Sequence, residues 1–422
     1  MFRISIRREC VGLFLLGGLV AVAPATPALA QSAPTPEWHT RSLTFDSRLI
    51  TDPYSSDAIE RFGVELLDLT AFSTGKLITP GQGVGRRVLR EVSQLVAGTF
   101  VGTAFGHAFH EFGHASRAAA AGFRPWLTHE SAQFEAGGAP IRSSGATDSF
   151  FTYLGTSLFN RSGATLARLD RTRFPLNEDL LRDDWSGQIA MQGLNHEMLF
   201  AEALDTRIQH QGVDIGLVVP YVTSKLAARS YAIGQDSLND ITNIVTFYAA
   251  KGLHIDSGDI RRGSLVATMA SANVYRFLFA GVTTLAGRDV STGPVSMGPL
   301  ELPSTAFFMN RSGLSYRVTT AVRDGAWRIP VSVERVYDGN RRTEVTVGAE
   351  HRSRRTEVSA VLVTGKTLEG RVVVRRWVRP RVALEIGGVS YDARNLNGAR
   401  RVSRLKTGTR QSQVYLGVAW SY

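Results

Sequence analysis

The chain has 422 residues and a formal net charge of +11, long enough for two domains. Its 43% hydrophobic and 20% charged residues exclude a disordered chain, and a single cysteine excludes a disulfide framework or a thiolate metal cluster. The arginines are spread along strand-like stretches and form no basic block. That argues against nucleic acid as a partner and leaves anionic lipid headgroups, an acidic partner or a merely solvated basic face.

Residues 1–30 read as a secretory signal peptide. Arg3, Arg7 and Arg8 give a basic start, an apolar run follows from Val11 to Val22, and Pro27-Ala28-Leu29-Ala30 supplies small residues for cleavage after Ala30. Cys10 lies before the apolar run, where a lipoprotein cysteine would have to follow it. An exported chain in a bacterial cell envelope is therefore expected. Residues 31–60 open with Gln-Ser-Ala-Pro-Thr-Pro and are expected to be a flexible lead-in.

Residues 61–292 are expected to form a mainly helical domain. Val88–Gly122, Asp183–Gln211 and Ser264–Gly287 carry apolar residues at three- and four-residue spacing. None is a clean membrane span, which needs about 20 mostly apolar residues.

Within the first of these segments stands Phe109-His110-Glu111-Phe112-Gly113-His114. On a helix, His110 and His114 lie one turn apart on one face, so both imidazoles can reach one ion. Glu111 is rotated about 100° from His110 and can touch a metal-held water without being a ligand. Zinc makes such a water acidic enough for the carboxylate to take its proton as a carbonyl is attacked. Gly102, Gly106 and Gly113 would let another helix approach closely. A pair of structural histidines is the competing reading.

His110-Glu111-Phe112-Gly113-His114-Ala115, followed by Arg117 and Gly122, resembles the active-site helix of zinc metallopeptidases and is especially similar to the site-2 protease type. The resemblance covers about fifteen residues. It implies a zincin-like helical domain, zinc as cofactor, His110 and His114 as ligands, Glu111 as catalytic base and a protein or peptide substrate. The aspartate of a later Asp-Gly motif and the membrane helices of site-2 proteases have no counterpart here. Zincins of the thermolysin type take a glutamate from a second helix as third ligand. In the segment from Trp185 to Gln211 the apolar stripe is Ala190, Leu194, Met198, Ala201, Leu204 and Ile208, and Glu197 falls near its centre. A carboxylate there is costly unless it meets a cation. Glu197 is thus the expected third ligand, with Glu202 and His107 in reserve. Asn195, His196, Tyr221 and Tyr231 are weaker candidates for substrate contact.

Residues 293–422 are expected to form an antiparallel β-domain. From about residue 304 the pattern alternates with period two. Leu314, Tyr316, Val318, Thr320 and Val322 share one face, as do Val345, Val347 and Ala349, and Val382, Leu384 and Ile386; Asp324-Gly325 and Asp338-Gly339-Asn340 mark turns. Roughly eight strand-like segments follow one another, each near the ~9–11 residues of a membrane-crossing strand. The end, Val414, Leu416, Val418, Trp420 and Tyr422, resembles the closing strand of bacterial outer-membrane β-barrels. In that arrangement the apolar set faces lipid while Gln413, Tyr415, Gly417 and Ala419 face a lumen. The expected fold class is α+β: a zincin-like helical domain followed by an antiparallel β-domain, a small barrel in the outer membrane or, alternatively, a soluble sheet. The corresponding functions are a zinc-dependent metallopeptidase of envelope proteins or a non-enzymatic outer-membrane protein whose helical part binds metal.

Overall fold

The computed structural model describes residues 41–77, 84–130, 133–134, 140–160, 163–169, 185–211, 214–233, 240–285, 296–403, 405 and 408–422. The expected signal peptide, Cys10 and the first part of the lead-in lie outside these residues.

The chain order is β1 (Ser42–Asp46), α1 (Arg48–Thr51), α2 (Ser56–Leu77), α3 (Val84–Ala121), β2 (Phe123–Thr128), β3 (Gln133–Phe134), β4 (Pro140–Ile141), α4 (Phe150–Ser157) and β5 (Ala164–Leu169). Then come α5 (Trp185–Gln211), α6 (Val218–Tyr231), α7 (Asp240–Ala250), α8 (Ser257–Met269) and α9 (Ala272–Leu285). The β-half holds β6 (Ser296–Met297), β7 (Leu300–Glu301), β8 (Ser304–Asn310), β9 (Gly313–Asp324), β10 (Trp327–Gly339), β11 (Thr343–Arg352), β12 (Thr356–Thr364), β13 (Leu368–Arg379), β14 (Val382–Asp392), α10 (Leu396–Arg401) and β15 (Arg410–Ser421). The fold class is α+β, helices first and an antiparallel sheet after them.

The long helix α3 ends where Gly122 adopts φ 96°, a conformation glycine accepts without Cβ strain. Its second half, which bears the His-Glu-x-x-His run, is enclosed by α2, α5, α6 and the β2–β5 hairpin. Phe105, Ala108, Phe109, Phe112, Ala115 and Ala119 there join the main core. The expected stripe on α5 (Ala190, Leu194, Met198, Ala201, Leu204 and Ile208) is buried in the same core.

Two sequence expectations change. Ser264–Gly287 is two helices, not one. The first begins earlier because Asp256 and Asp259 form a reciprocal capping box. It ends where the Ala272 N–H leaves the helical ladder and donates to the Pro303 carbonyl at 3.1 Å, while the Ser271 hydroxyl donates back to the Ala267 carbonyl. The lead-in is also more structured than expected. β1 lies within it and pairs antiparallel with β15, from Ser42 opposite Ser421 to Asp46 opposite Gly417. Five residues carry too little alternation to be read as a strand, but they cover an edge that β15 would otherwise leave open.

The large sheet has eleven strands in the order β1-β15-β14-β13-β12-β11-β10-β9-β7-β6, with β8 also on β9. Among the described residues every neighbour pairing in it is antiparallel, and no pairing joins β1 to β6 to close a ring. The alternation expected for the last strand holds as far as Trp420, with Val414, Leu416, Val418 and Trp420 exposed and Tyr415, Gly417 and Ala419 buried, but Tyr422, expected on the outward set, turns inward and donates to Asp68 at 2.9 Å. The buried face is unusually charged. Glu334 accepts from Arg317 at 2.8 Å and from Arg400 of α10. Glu385 accepts from Arg375 at 3.0 Å and from Arg61 of α2 at 2.8 Å. Glu301 accepts from Arg328 at 2.9 Å. The helical layer is fastened to this face: Asn195 of α5 bonds both the carbonyl and the N–H of Met309, and Gln192 donates to the Ala399 carbonyl at 2.8 Å.

Candidate metal centre

One helical turn brings His110 and His114 together, with Nε2 atoms 3.1 Å apart and rings edge to face. Asp240, the first residue of α7, places Oδ2 3.1 Å from His110 Nε2 and 3.2 Å from His114 Nε2. These are the three residues among the described ones whose ligand atoms converge as a metal site would require. Both histidines are buried, and Asp240 keeps part of its carboxylate exposed.

The opposite nitrogens are engaged by other groups. His110 Nδ1 donates to Glu197 Oε1 at 2.7 Å, and His114 Nδ1 donates to the Ile189 carbonyl at 2.7 Å. Those two bonds set the tautomer: in the neutral rings the Nε2 lone pairs face each other and the Asp240 carboxylate. Three lone-pair donors about 3 Å apart, turned inward, repel unless a cation or shared protons lie between them. An ion held at roughly 2.0–2.1 Å by tetrahedral donors sets donor spacings of roughly 3.3–3.4 Å, a few tenths wider than those seen. A Cβ built on Gly193 would fall 2.5 Å from His114 Nε2 and 2.7 Å from His110 Nε2, so only glycine leaves the α5 side of the cluster open.

Electrostatics agree. Burial pulls the pKa of His110 down, but Tyr231, Asp240 and Glu197 outweigh it and leave it well above the ordinary value. Burial also opposes protonation of His114, and Asp240 overrides it upward. Burial raises the Asp240 pKa, yet the two imidazoles hold it well below the ordinary carboxylate range. Glu197 is pushed up by burial, against the pull of His110. Without a metal, the cluster gathers protons as its positive charge.

Glu111 follows His110 directly on α3. Its Oε2 accepts from the Thr165 hydroxyl of β5 at 2.9 Å, and its charge acts on His114, Glu197 and Tyr231. Tyr231, at the end of α6, stacks on the His110 ring at 4.8 Å and 14°.

The structure separates the sequence candidates. Glu197 is not in the converging set: it meets the outer nitrogen of His110, and Asp240 occupies the position expected of it. The stripe argument located a carboxylate that needs a cation, but that cation is the imidazole itself. Glu202 pairs with Arg317 at 2.9 Å. His107 lies 3.4 Å from the Tyr153 hydroxyl, among His129 and Tyr153. Asn195 is engaged by β8, as above. His196 lies 2.7 Å from the Ser56 hydroxyl and 2.8 Å from the Gln192 carbonyl. Tyr221 is buried beside Phe277 and Lys225. At Gly113 a Cβ would collide with the Gln192 carbonyl, as close helix packing requires, whereas Gly106 has nothing nearer than 3.9 Å. Asp240 and Gly193 carried no sequence signal: neither stands at a spacing tied to the histidine pair.

Comparison with protein-family models, with curated proteins and with solved structures gave no match to this chain. The chemistry of the site is therefore read from its geometry.

Proposed function

We propose that this chain is a zinc-dependent peptide hydrolase of the cell envelope, with His110, His114 and Asp240 as the protein ligands. The observation that carries this reading is the convergence of two Nε2 atoms and one carboxylate oxygen while both Nδ1 atoms are engaged outward, by Glu197 and by the Ile189 carbonyl. Two imidazoles and a carboxylate are a donor set that suits zinc. When bound, zinc supplies Lewis acidity to water and to a peptide carbonyl.

The chain's own residues do the rest. Glu197 and the Ile189 carbonyl hold the two imidazoles in the tautomer and orientation that present Nε2. Glu111, oriented by Thr165, takes the proton of the attacking water and returns it to the leaving amine. Tyr231 packs flat on His110 and limits its rotation. The leader expected over residues 1–30 supports an envelope substrate.

The test is metal analysis of the purified chain beside cleavage of a peptide library. Wild type is expected to hold about one zinc per chain, and Glu111→Gln to keep the metal and lose cleavage. Full activity in Glu111→Gln rejects Glu111 as the base. A second reading, a metal-binding envelope protein without turnover, is favoured by the near-complete burial of His110, Glu111 and His114. It predicts zinc retention and no cleavage in wild type.

A further inference from the structure

The outward residues of β10–β15 are the ones a soluble protein would bury. Val333, Val347, Leu362, Val372, Leu384 and Ile386 are 42–53% exposed, and Val414 is 80% exposed. Among the described residues this field is interrupted, short of the outermost residue of each strand, only by Arg335, His351, Arg376 and the hydrogen-bonded pair Ser390 and Ser412. The inward face holds the charged network of Arg317, Arg328, Glu334, Arg375 and Glu385. The exposed apolar area is on the order of a thousand Å², above the few hundred Å² that monomeric soluble proteins leave bare.

The dimensions fit one occupant. β9–β15 have 9 to 13 residues each. At ~3.4 Å per residue and a tilt of about 45°, such strands rise about 22–31 Å, matching the ~25 Å apolar band of membrane sheets. The rims carry cations. At the end with the 353–355 and 380–381 turns, Arg352, Arg354, Arg355, Arg379 and Arg381 are exposed; at the other, Arg341, Lys366 and Arg410 are exposed. A second copy laid on this face, in either orientation, would set cations against cations. Anionic headgroups complement both rims.

We infer that this face of the sheet is embedded in the hydrocarbon of a bilayer with anionic headgroups, and that the metal helices are carried on its inner side. The inference is independent of the zinc reading. It rests on the outer face of the sheet, not on the histidine cluster.

The test uses the full chain, folded in detergent and reconstituted into phosphatidylethanolamine–phosphatidylglycerol vesicles, with phosphatidylcholine vesicles for comparison. Trp327 and Trp420 point outward, while Trp126 and Trp377 are buried. Trp327 opens β10 and Trp420 is the last residue but one of β15, so acyl chains brominated near their headgroup ends are expected to quench wild-type emission, and Trp327→Phe/Trp420→Phe to remove most of that quenching. Ile386→Arg, near the middle of β14, is expected to lower the folded fraction in vesicles by roughly 30-fold or more, while Asn340→Arg in an exposed turn leaves it unchanged. Arg354→Gln/Arg355→Gln/Arg379→Gln/Arg381→Gln is expected to lose a large part of the preference for phosphatidylglycerol over phosphatidylcholine vesicles, the rim of Arg341, Lys366 and Arg410 keeping the rest. The inference is overturned by a chain that is monodisperse in buffer as monomer or dimer, by absent quenching, or by a rim variant that keeps the full preference for phosphatidylglycerol. Zinc content is measured in each sample, so loss of either reading is seen separately.

Discussion

Replacing Asp240 by asparagine separates the geometry of this site from the one its sequence suggests. The side chain keeps its shape but loses its charge, and its weak amide oxygen is then the third donor. Zinc binding at sites of four protein ligands amounts to about 10–16 kcal/mol, or roughly 2.5–4 kcal/mol per donor. Loss of the Asp240 carboxylate should therefore raise the zinc Kd by roughly 70- to 900-fold. Glu197→Gln acts differently. Glu197 touches the Nδ1 side of His110, 2.7 Å away, and never faces the converging atoms. Removing such an outer partner typically costs ~10–100-fold in metal affinity. Both variants are measured by competition against a chromogenic zinc chelator, with circular dichroism to confirm folding. The order Asp240→Asn weaker than Glu197→Gln supports the geometry. Wild-type affinity in Asp240→Asn together with zinc loss in Glu197→Gln would refute it and restore Glu197 as ligand.

Gly193→Ala should abolish zinc retention, because the new methyl would sit 2.5–2.7 Å from both Nε2 atoms. Alanine favours a helix over glycine by ~1 kcal/mol, so weak helix propensity cannot explain such a loss; metal analysis decides, and a fully loaded variant counts against the site. His196 is a pH probe. Burial, and after it the charges of Arg401, His114 and His110, hold its pKa at about 3, against 6.5 for the free side chain. Below pH 6.5 the unfolded chain takes a proton that the folded chain refuses, so stability present above 6.5 falls as pH drops toward 3. The slope is ~1.4 kcal/mol per pH unit, about 3 kcal/mol by pH ~4.5. Chelator-treated protein unfolded in urea at both pH values should show it, and His196→Asn should flatten the slope; an equal slope in the variant assigns the effect elsewhere. Lys225 is wholly buried, donates to the Thr305 carbonyl at 2.8 Å and lies 3.2 Å from Asp205. Lys225→Ala should cost roughly 3–5 kcal/mol by stranding that carboxylate, and a change under 1 kcal/mol in denaturant midpoint analysis would show that the pair is dispensable.

Much of the local structure was legible in the sequence. The 3.6-residue stripes marked α3 and α5, because a helix buries one face and repeats it every turn. Period-two alternation marked the strands of the β-half for the same kind of reason. The His110–His114 pair was legible because one turn of helix is enough to bring both rings to one point. Helix ends were less legible: the capping box at Asp256 and the break at Ser271, where the Ala272 N–H bonds the Pro303 carbonyl, are set by individual hydrogen bonds, not by a repeating pattern.

What the sequence alone determined about this protein is therefore its local periodicities: which face of each element is apolar, and that two imidazoles share a helix face. The tertiary structure decided which carboxylate meets them. Asp240 lies 130 residues beyond His110 in the chain and has no periodic relation to it, so only the packing of α7 against α5 brings it there. It also decided the sense of the sheet. Alternation states that two faces differ, but the charged face was seen to be the inner one only once α2, α5 and α10 were found bonded to it.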